Sequence, residues 1–324
     1  MPDIPTIIDD VLEALVIPSF TDIGFAVRRR LFDWEDLSRI RLDGRVILVT
    51  GATSGLGFET ARRLLSMGAS LRVLARNKDH GEAACERLRS QTPGADVDLY
   101  IADMSDLGQV RTAADAIIDR EPRLDALVNN AGALLTERRT TADGLEMTFA
   151  SMVLGPFLLT QALIPLLVAT AQEHRPTRIV NVASGGMYTQ RLHLDDLQME
   201  REPYRGSVAY ARAKRAQIAL TGLWSRRLWD QGVVVNAMHP GWADTPGIAS
   251  ALPGFHRLIG PRLRTAEEGA DTTVWLVASG EAARWTGKFW LDRGQRKTER
   301  LPGTAVTPED ARRLWEACEH LGGS

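Results

Sequence analysis

Two side chains one helical turn apart, Tyr210 and Lys214 in Tyr210-Ala211-Arg212-Ala213-Lys214, could move a proton together. Positions i and i+4 share a helix face. A phenol with an ordinary pKa of about 10 is poorly matched to proton transfer at neutral pH. An ammonium on the same face, with a second cation bound nearby, would favour phenolate and lower that value. A phenol tuned in this way can protonate a carbonyl oxygen or take a proton from an alcohol. By itself Tyr-x-x-x-Lys is a frequent surface pair. Ser184, at the end of Arg178-Ile179-Val180-Asn181-Val182-Ala183-Ser184, adds a hydroxyl at the C-terminal end of a strand-like run, where open α/β sheets bind ligands. There it could hydrogen-bond and orient a reacting oxygen. Because Gly185-Gly186 follows, the same serine also reads as an ordinary turn residue.

A second constellation follows the first apolar run: Thr50-Gly51-Ala52-Thr53-Ser54-Gly55-Leu56-Gly57. Glycine supplies the positive φ of a tight turn. Without side chains the backbone can approach a pyrophosphate, whose charge meets free N–H groups at a helix start. Gly51, Thr53, Ser54, Gly55, Leu56 and Gly57 are therefore candidate contacts to a dinucleotide. Their spacing is G-x-x-x-G-x-G rather than G-x-G-x-x-G, and glycines in a strand–helix turn also occur without any ligand. The second strand-like run ends in Ala75-Arg76-Asn77. An acidic residue there would bind a ribose 2′-hydroxyl and repel a 2′-phosphate. Arg76 instead offers a planar cation, with Asn77 beside it, which favours NADP over NAD. A solvated arginine after a strand is the plainer reading.

These residues need elements to hold them. Strand-like runs at residues 46–50, 71–75, 97–101, 124–128, 178–182, 233–237 and 288–291 alternate with helical stretches at 59–67, 79–90, 107–120, 143–173, 208–230 and 266–278. Such alternation specifies an α/β fold, a doubly wound parallel sheet with helices on both faces. Pro156 and Pro165 should kink the long helix without dividing it. We place an N-terminal helical extension at 1–40, the α/β domain at 41–292 and a C-terminal tail at 293–324. The tail ends in a helix over 309–321, with Thr307 as N-cap and Pro308 in the first turn.

The 324 residues are 44% hydrophobic, enough for one substantial core, and their net charge of -2 gives no basic field for nucleic acid. Cys85 and Cys318 do not form a disulfide framework, which points to a reducing cytoplasm. The scattered His174, His193, His239 and His256 lack metal-ligand spacing, so no metal is expected; His239, before Pro240, reads as a turn residue. No stretch has the roughly 18 uninterrupted apolar residues of a membrane span, and Met1 to Asp10 lacks the basic start of a secretory signal. In residues 4–34, Ile7, Ile8, Val11, Leu12 and Leu15 recur at helical spacing, ahead of Arg28, Arg29 and Arg30. We read a helical extension packed on the main domain or a partner subunit. The alternative is peripheral membrane contact with the arginines at the headgroups.

Taken in order, these motifs resemble the short-chain dehydrogenase/reductase family over about residues 45–291. Thr50 to Gly57, Asp103, Asn129-Asn130-Ala131-Gly132, Ser184, Tyr210/Lys214 and Pro240-Gly241 fall in the family's sequence. The long step from Ser184 to Tyr210 resembles its retinol-dehydrogenase-like branch. The resemblance implies a Rossmann fold and hydride transfer between a nicotinamide and a carbonyl or alcohol, with Ser184, Tyr210 and Lys214 as catalytic residues. It implies that Asp103, with Met104, contacts adenine, that Asn130, Ala131 and Gly132 line the cofactor cleft, and that Tyr210 and Lys214 also touch the cofactor. Pro240, Gly241 and Thr245 should meet the carboxamide. A homodimer or homotetramer is the implied assembly. Pro246, Leu252, Pro253, Phe255, Leu258 and Ile259 suggest an apolar, bulky substrate, although a lid packed on its own core would read the same way. One position departs from the family. Where its long helix carries an asparagine, thought to hold a water linking the lysine to solvent, this chain has Met152 in Phe149-Ala150-Ser151-Met152-Val153-Leu154-Gly155. The relay is then slower, re-routed through Ser151, or absent, and the alternative function is an NADP-binding redox sensor with little turnover.

Overall fold

The structure is a computed structural model that describes residues 3–174, 176–244, 254, 257 and 259–323. Its centre is one sheet. β1 (Val46–Thr50), β2 (Ser70–Ala75), β3 (Val97–Ile101), β4 (Ala126–Asn129), β5 (Thr177–Val182), β6 (Val233–Met238) and β7 (Phe289–Leu291) run parallel in the order β3-β2-β1-β4-β5-β6-β7. Every residue of β1, β4, β5, β6 and β7 is buried, as sheets covered on both faces require. Branching outward from β1 in one direction and from β4 in the other, the strands leave a crevice at their C-terminal ends.

Helices α4 (Gly55–Ser66) and α5 (Lys78–Gln91) cover one face, joined by α10 (Ala266–Ala278). The other face carries α6 (Leu107–Arg120), α8 (Gly155–Glu173), α9 (Gly206–Leu228) and α11 (Pro308–Gly322), packed through Val110, Phe157, Leu163, Leu220, Trp224 and Trp315. Local chemistry sets several starts. The Asn77 side chain accepts from His80 N at 2.9 Å to cap α5, and Asp106 accepts from Gln109 N at 2.9 Å to cap α6. Thr265 with Glu268, and Thr307 with Asp310, close reciprocal capping boxes on α10 and α11. The doubly wound sheet expected from the alternation is present.

The elements differ from the sequence reading at four places. α4 begins at Gly55, not at residue 59, because extended Ser54 hands directly into a helix whose first turn contains Gly55 and Gly57. Low glycine propensity hid that turn. The long helix starts with α7 (Met147–Phe149) rather than at 143 and passes through a wide π turn, Ala150–Leu154, into α8. Pro156 lies just beyond that turn, and it lacks the N–H that a regular helix would aim at the Met152 carbonyl four residues back. An eighth strand, β8 (Gly294–Arg296), pairs antiparallel with β7. Its turn places Asp292 and Arg293 at φ of 53° and 55°, a left-handed path that aspartate tolerates but arginine does not announce.

The fourth difference concerns the N-terminal extension, α1 (Ile4–Ala14), α2 (Val16–Phe20) and α3 (Asp22–Leu31). It packs on the main domain through its acidic face instead of its apolar one. Fully buried Arg28 donates to Asp9 Oδ1 (2.6 Å), Glu13 Oε1 (2.9 Å) and Asp292 Oδ2 (2.8 Å). Arg296 reaches Asp9 Oδ2 at 2.6 Å, and Arg300 pairs with Glu13. Ile4, Ile7, Ile8, Val11, Leu15, Val16 and Ile17 are left facing outward. Met147–Glu173 is long and apolar enough to cross a membrane, but Phe157, Leu159, Leu163 and Leu167 are buried in the core.

Candidate active site

The β1/β4 crevice holds a cavity of about 840 Å³. Its lining brings together Gly51, Thr53, Ser54, Gly55, Leu56 and Gly57 from the first turn, Arg76 and Asn77 after β2, Asp103 and Met104 after β3, and Asn130, Ala131 and Gly132 after β4. Ser184, Tyr210, Lys214, Pro240 and Gly241 complete it. Thr245, and Pro246, Leu252, Pro253, Phe255 and Leu258 of the expected substrate stretch, lie outside the described residues. The cavity also takes in Leu134, Leu135, Met147, Gln190, Val208 and Trp242, which the motifs did not flag. Leu134, Leu135 and Gln190 sit on irregular segments, Met147 opens α7 and Val208 lies in the first turn of α9, so their approach depends on the fold rather than on any local pattern.

The glycine turn is built by close packing. Gly51 has φ +67°, and a Cβ there would stand 3.0 Å from Ala131 Cα. A Cβ on Gly57 would reach 2.4 Å from Asn130 Nδ2. Asn130 latches the turn by donating from Nδ2 to the carbonyl oxygens of Thr50 (2.9 Å) and Gly51 (3.2 Å). Thr50 Oγ1 accepts from the backbone N–H groups of Asn130 and Ala131 at 3.0 and 2.9 Å. No side chain caps α4, and its first residues line the cavity. This cradle, too tight for any side chain and edged by a helix N-terminus, fits a pyrophosphate. Asp103 Oδ1 accepts from Ser105 N (2.8 Å) and Oγ (2.7 Å), while the largely exposed Arg76 guanidinium lies 3.9 Å from Asp103 Oδ2.

Ser184 both caps the short turn after β5, accepting from Gly186 N at 3.1 Å, and faces the Tyr210 phenol. α9 carries Tyr210 and Lys214 along its cavity side. Lys214 Nζ, almost fully buried, donates to Val182 O at 2.6 Å and Gln217 Oε1 at 3.1 Å, and lies 5.5 Å from the Tyr210 ring centre. Among the protein's own groups, burial dominates this pair. Burial pushes the Tyr210 phenol above its ordinary value, opposed by its hydrogen bond with Ser184, and pushes the Lys214 ammonium down to about 7. The cause is that the partners of Lys214 are neutral oxygens, so among protein groups desolvation outweighs attraction. Met152 is fully buried, with its side chain against Gly132, and Ser151 Oγ donates to Met147 O at 2.7 Å rather than toward Lys214. The carboxamide that reaches Lys214 is that of Gln217, which the motif reading missed; its only signal was the i+3 spacing from the lysine.

The turn after β6 is fixed from outside the domain core. Arg264, buried, donates from Nη1 to Pro240 O at 3.3 Å and Asp292 Oδ1 at 2.5 Å, from Nη2 to Ser19 O at 3.0 Å and Asp292 Oδ2 at 2.9 Å, and from Nε to Thr21 O at 3.0 Å. Trp242 N donates to Phe20 O at 2.7 Å. His239 is buried edge-on to Phe20, with ring centres 4.5 Å apart, and desolvation pulls its pKa down to about 3. It shapes this turn as a neutral ring. Among the described residues no cluster of His, Cys, Asp or Glu could hold a metal ion.

A fold with this crevice, cradle and Ser–Tyr–Lys arrangement defines a nucleotide-dependent oxidoreductase class, and comparison with known proteins agrees. Residues 45–253 match the short chain dehydrogenase family, and the chain belongs to that family. It is an oxidoreductase of this kind. It is 38% identical over 304 residues to human dehydrogenase/reductase SDR family member 12, covering 93% of each chain. It is 34% identical to human retinol dehydrogenase 12, covering 88% of this chain and 89% of that one. The Pseudomonas aeruginosa RhlG/NADP active-site complex superimposes with a TM-score of 0.63 at 26% identity, over 77% of this chain and 94% of that one.

Proposed function

We propose that the protein uses NAD(P), with NADP preferred, to transfer a hydride between nicotinamide and a carbonyl or alcohol on an apolar, bulky substrate. The observation that carries this reading is the convergence of the glycine cradle with Ser184, Tyr210 and Lys214 on one cavity. Gly51 to Gly57 would seat the pyrophosphate, Arg76 the 2′-phosphate, and Asn130 to Gly132 the wall beside the nicotinamide ribose. When bound, the nicotinamide supplies or accepts the hydride. Ser184 Oγ orients the substrate oxygen, and the Tyr210 hydroxyl gives it a proton in reduction or takes one in oxidation. Lys214, able to change charge near neutral pH, supports that proton movement from the same helix face. Leu134, Leu135, Val208 and Trp242 give the substrate end its apolar character.

The test is oxidation of NADPH and NADH against a panel of apolar ketones and aldehydes. We expect turnover with NADPH that Tyr210→Phe lowers by at least about 100-fold, the usual worth of a positioned acid. Absence of affinity for either nucleotide, or full activity in Tyr210→Phe, overturns the reading. A redox sensor without turnover has only Met152 in its favour, and a pure binder needs neither the serine nor the phenol. The buried, unpaired Cys85 and Cys318 support a cytoplasmic setting, and a homodimer or homotetramer is the assembly that family membership favours. The outward row from Ile4 to Ile17 supports peripheral membrane contact by the N-terminal extension.

A further inference from the structure

The chain lacks the helix asparagine beside its lysine, yet a carboxamide occupies the space between lysine and helix. Gln217 lies three residues beyond Lys214 on α9 and is nearly fully buried. Its Oε1 accepts from Lys214 Nζ at 3.1 Å, and its Nε2 donates to Met152 O at 2.6 Å. The second contact has a reason. Met152 O lies in the π turn, and Pro156 has no N–H to offer it. A buried carbonyl deprived of its i+4 donor gains from another, so the side chain that supplies one is held there. With Nε2 committed to Met152, the amide oxygen is turned toward the lysine.

We propose that Gln217 is a positioning residue for Lys214, a carboxamide clamp that replaces the absent asparagine from a different helix and without an intervening water. The inference rests on the reading above that Lys214 serves proton movement. The clamp fixes where Nζ sits by joining it to the long helix, while Val182 O holds it to β5. The surroundings of Lys214 are otherwise neutral. On its own helix Tyr210 is the titratable group that faces it, Arg215 being turned to the carbonyl oxygens of Met187, Gln190 and Thr298 and Arg212 to Asp196 and Glu202; β5 contributes the Val182 carbonyl, and the π turn contributes the Met152 carbonyl through Gln217. Desolvation is what lowers its ionisation below the ordinary lysine value.

The test is a pH titration of Lys214 in protein labelled with 13C at the lysine Cε, needing neither cofactor nor substrate. The lysines are Lys78, Lys214, Lys288 and Lys297, so Lys214→Arg assigns the resonance. The wild-type midpoint is expected near 7. Gln217→Met, close in shape but unable to accept, removes a hydrogen bond to the charged form, and the midpoint should fall by about 1–2 pH units. Gln217→Glu puts a carboxylate against the ammonium, and the midpoint should rise. Where Gln217→Met loses its near-UV circular dichroism, Gln217→Glu decides alone. Midpoints within about 0.3 units of wild type in the folded variants overturn the clamp. A normal set of shifts in a protein without nicotinamide turnover leaves the clamp standing and sinks only the functional reading. In an active enzyme, the alkaline limb of carbonyl reduction should move down with the Gln217→Met titration while the KM for cofactor stays unchanged.

Discussion

Asp292→Ala is the perturbation that tests most directly whether the N-terminal extension and the catalytic domain are one unit. The wild-type carboxylate is almost wholly buried and accepts three guanidinium hydrogen bonds, from Arg264 at 2.5 and 2.9 Å and from Arg28 at 2.8 Å. Arg28 keeps Asp9 and Glu13 after the substitution. Arg264 keeps carbonyl oxygens, but among the described residues its carboxylate partner is Asp292. A buried cation left without its counter-charge costs about 3–5 kcal/mol. A domain of this size loses about 2 °C of Tm per kcal/mol, so the expected drop is roughly 6–10 °C. The acid side carries a signature of its own. Burial would raise the Asp292 pKa, but the charges and hydrogen bonds of Arg264 and Arg28 prevail and hold it below 3.8. Its stabilisation is therefore complete above about 3.9 and lost only as pH falls through the lower folded value. The assay is thermal unfolding at neutral pH, with Asp195→Ala as control, since the Asp195–Arg313 pair is exposed and worth less than about 1 kcal/mol. A Tm for Asp292→Ala within about 2 °C of wild type would refute the idea that this network ties the extension to the domain.

Two further outcomes are expected. Arg76→Asp should move cofactor preference toward NADH, raising the KM for NADPH about 10-fold or more as an anion faces the 2′-phosphate; unchanged discrimination in paired NADPH and NADH kinetics would remove Arg76 from the site. Replacing Ile7, Val11 and Leu15 with serine should abolish co-flotation with phospholipid vesicles while leaving Tm within about 3 °C, because these side chains face outward and bury little in the fold. Equal flotation of variant and wild type would discard the membrane contact.

The sheet and the cradle were legible because their causes are local. Doubly buried strands must be apolar runs, and a turn with positive φ at Gly51 wedged against Ala131 must be glycine. What stayed hidden depends on groups far apart in sequence. The acidic face of α1 reads as solvent-facing until Arg28, Arg296 and Arg300 are found beneath it, which reverses the expected orientation of the apolar row. The β7–β8 hairpin turns on Asp292 and Arg293, and the arginine does not advertise left-handed backbone. Asp292 is held there by the two arginines it neutralises, so tertiary charge pairing sets the local path. The balance among the protein's own groups at Tyr210 was hidden for a related reason: i+4 spacing put lysine and tyrosine on one face, but it could not reveal that burial would act on both more strongly than they act on each other.

The two buried polar constructions beside the cavity solve opposite problems, and their chemistry differs accordingly. Asp292 holds cations that must not change, so a carboxylate shared by two guanidiniums fixes charge and geometry together. In the proposed mechanism Lys214 must be held and yet remain free to gain or lose a proton. A carboxylate at position 217 would stabilise the ammonium by Coulomb attraction in a low-dielectric setting and carry its pKa well above neutrality. A carboxamide accepts the same hydrogen bond without adding charge and leaves the lysine near 7. Methionine at 152 is then compatible with an active site, provided that its main-chain carbonyl, deprived of its i+4 donor by Pro156, keeps the amide turned the right way. Geometry is supplied by the backbone of one helix and the side chain of another, and the charge state of the lysine is left to the chemistry in the crevice.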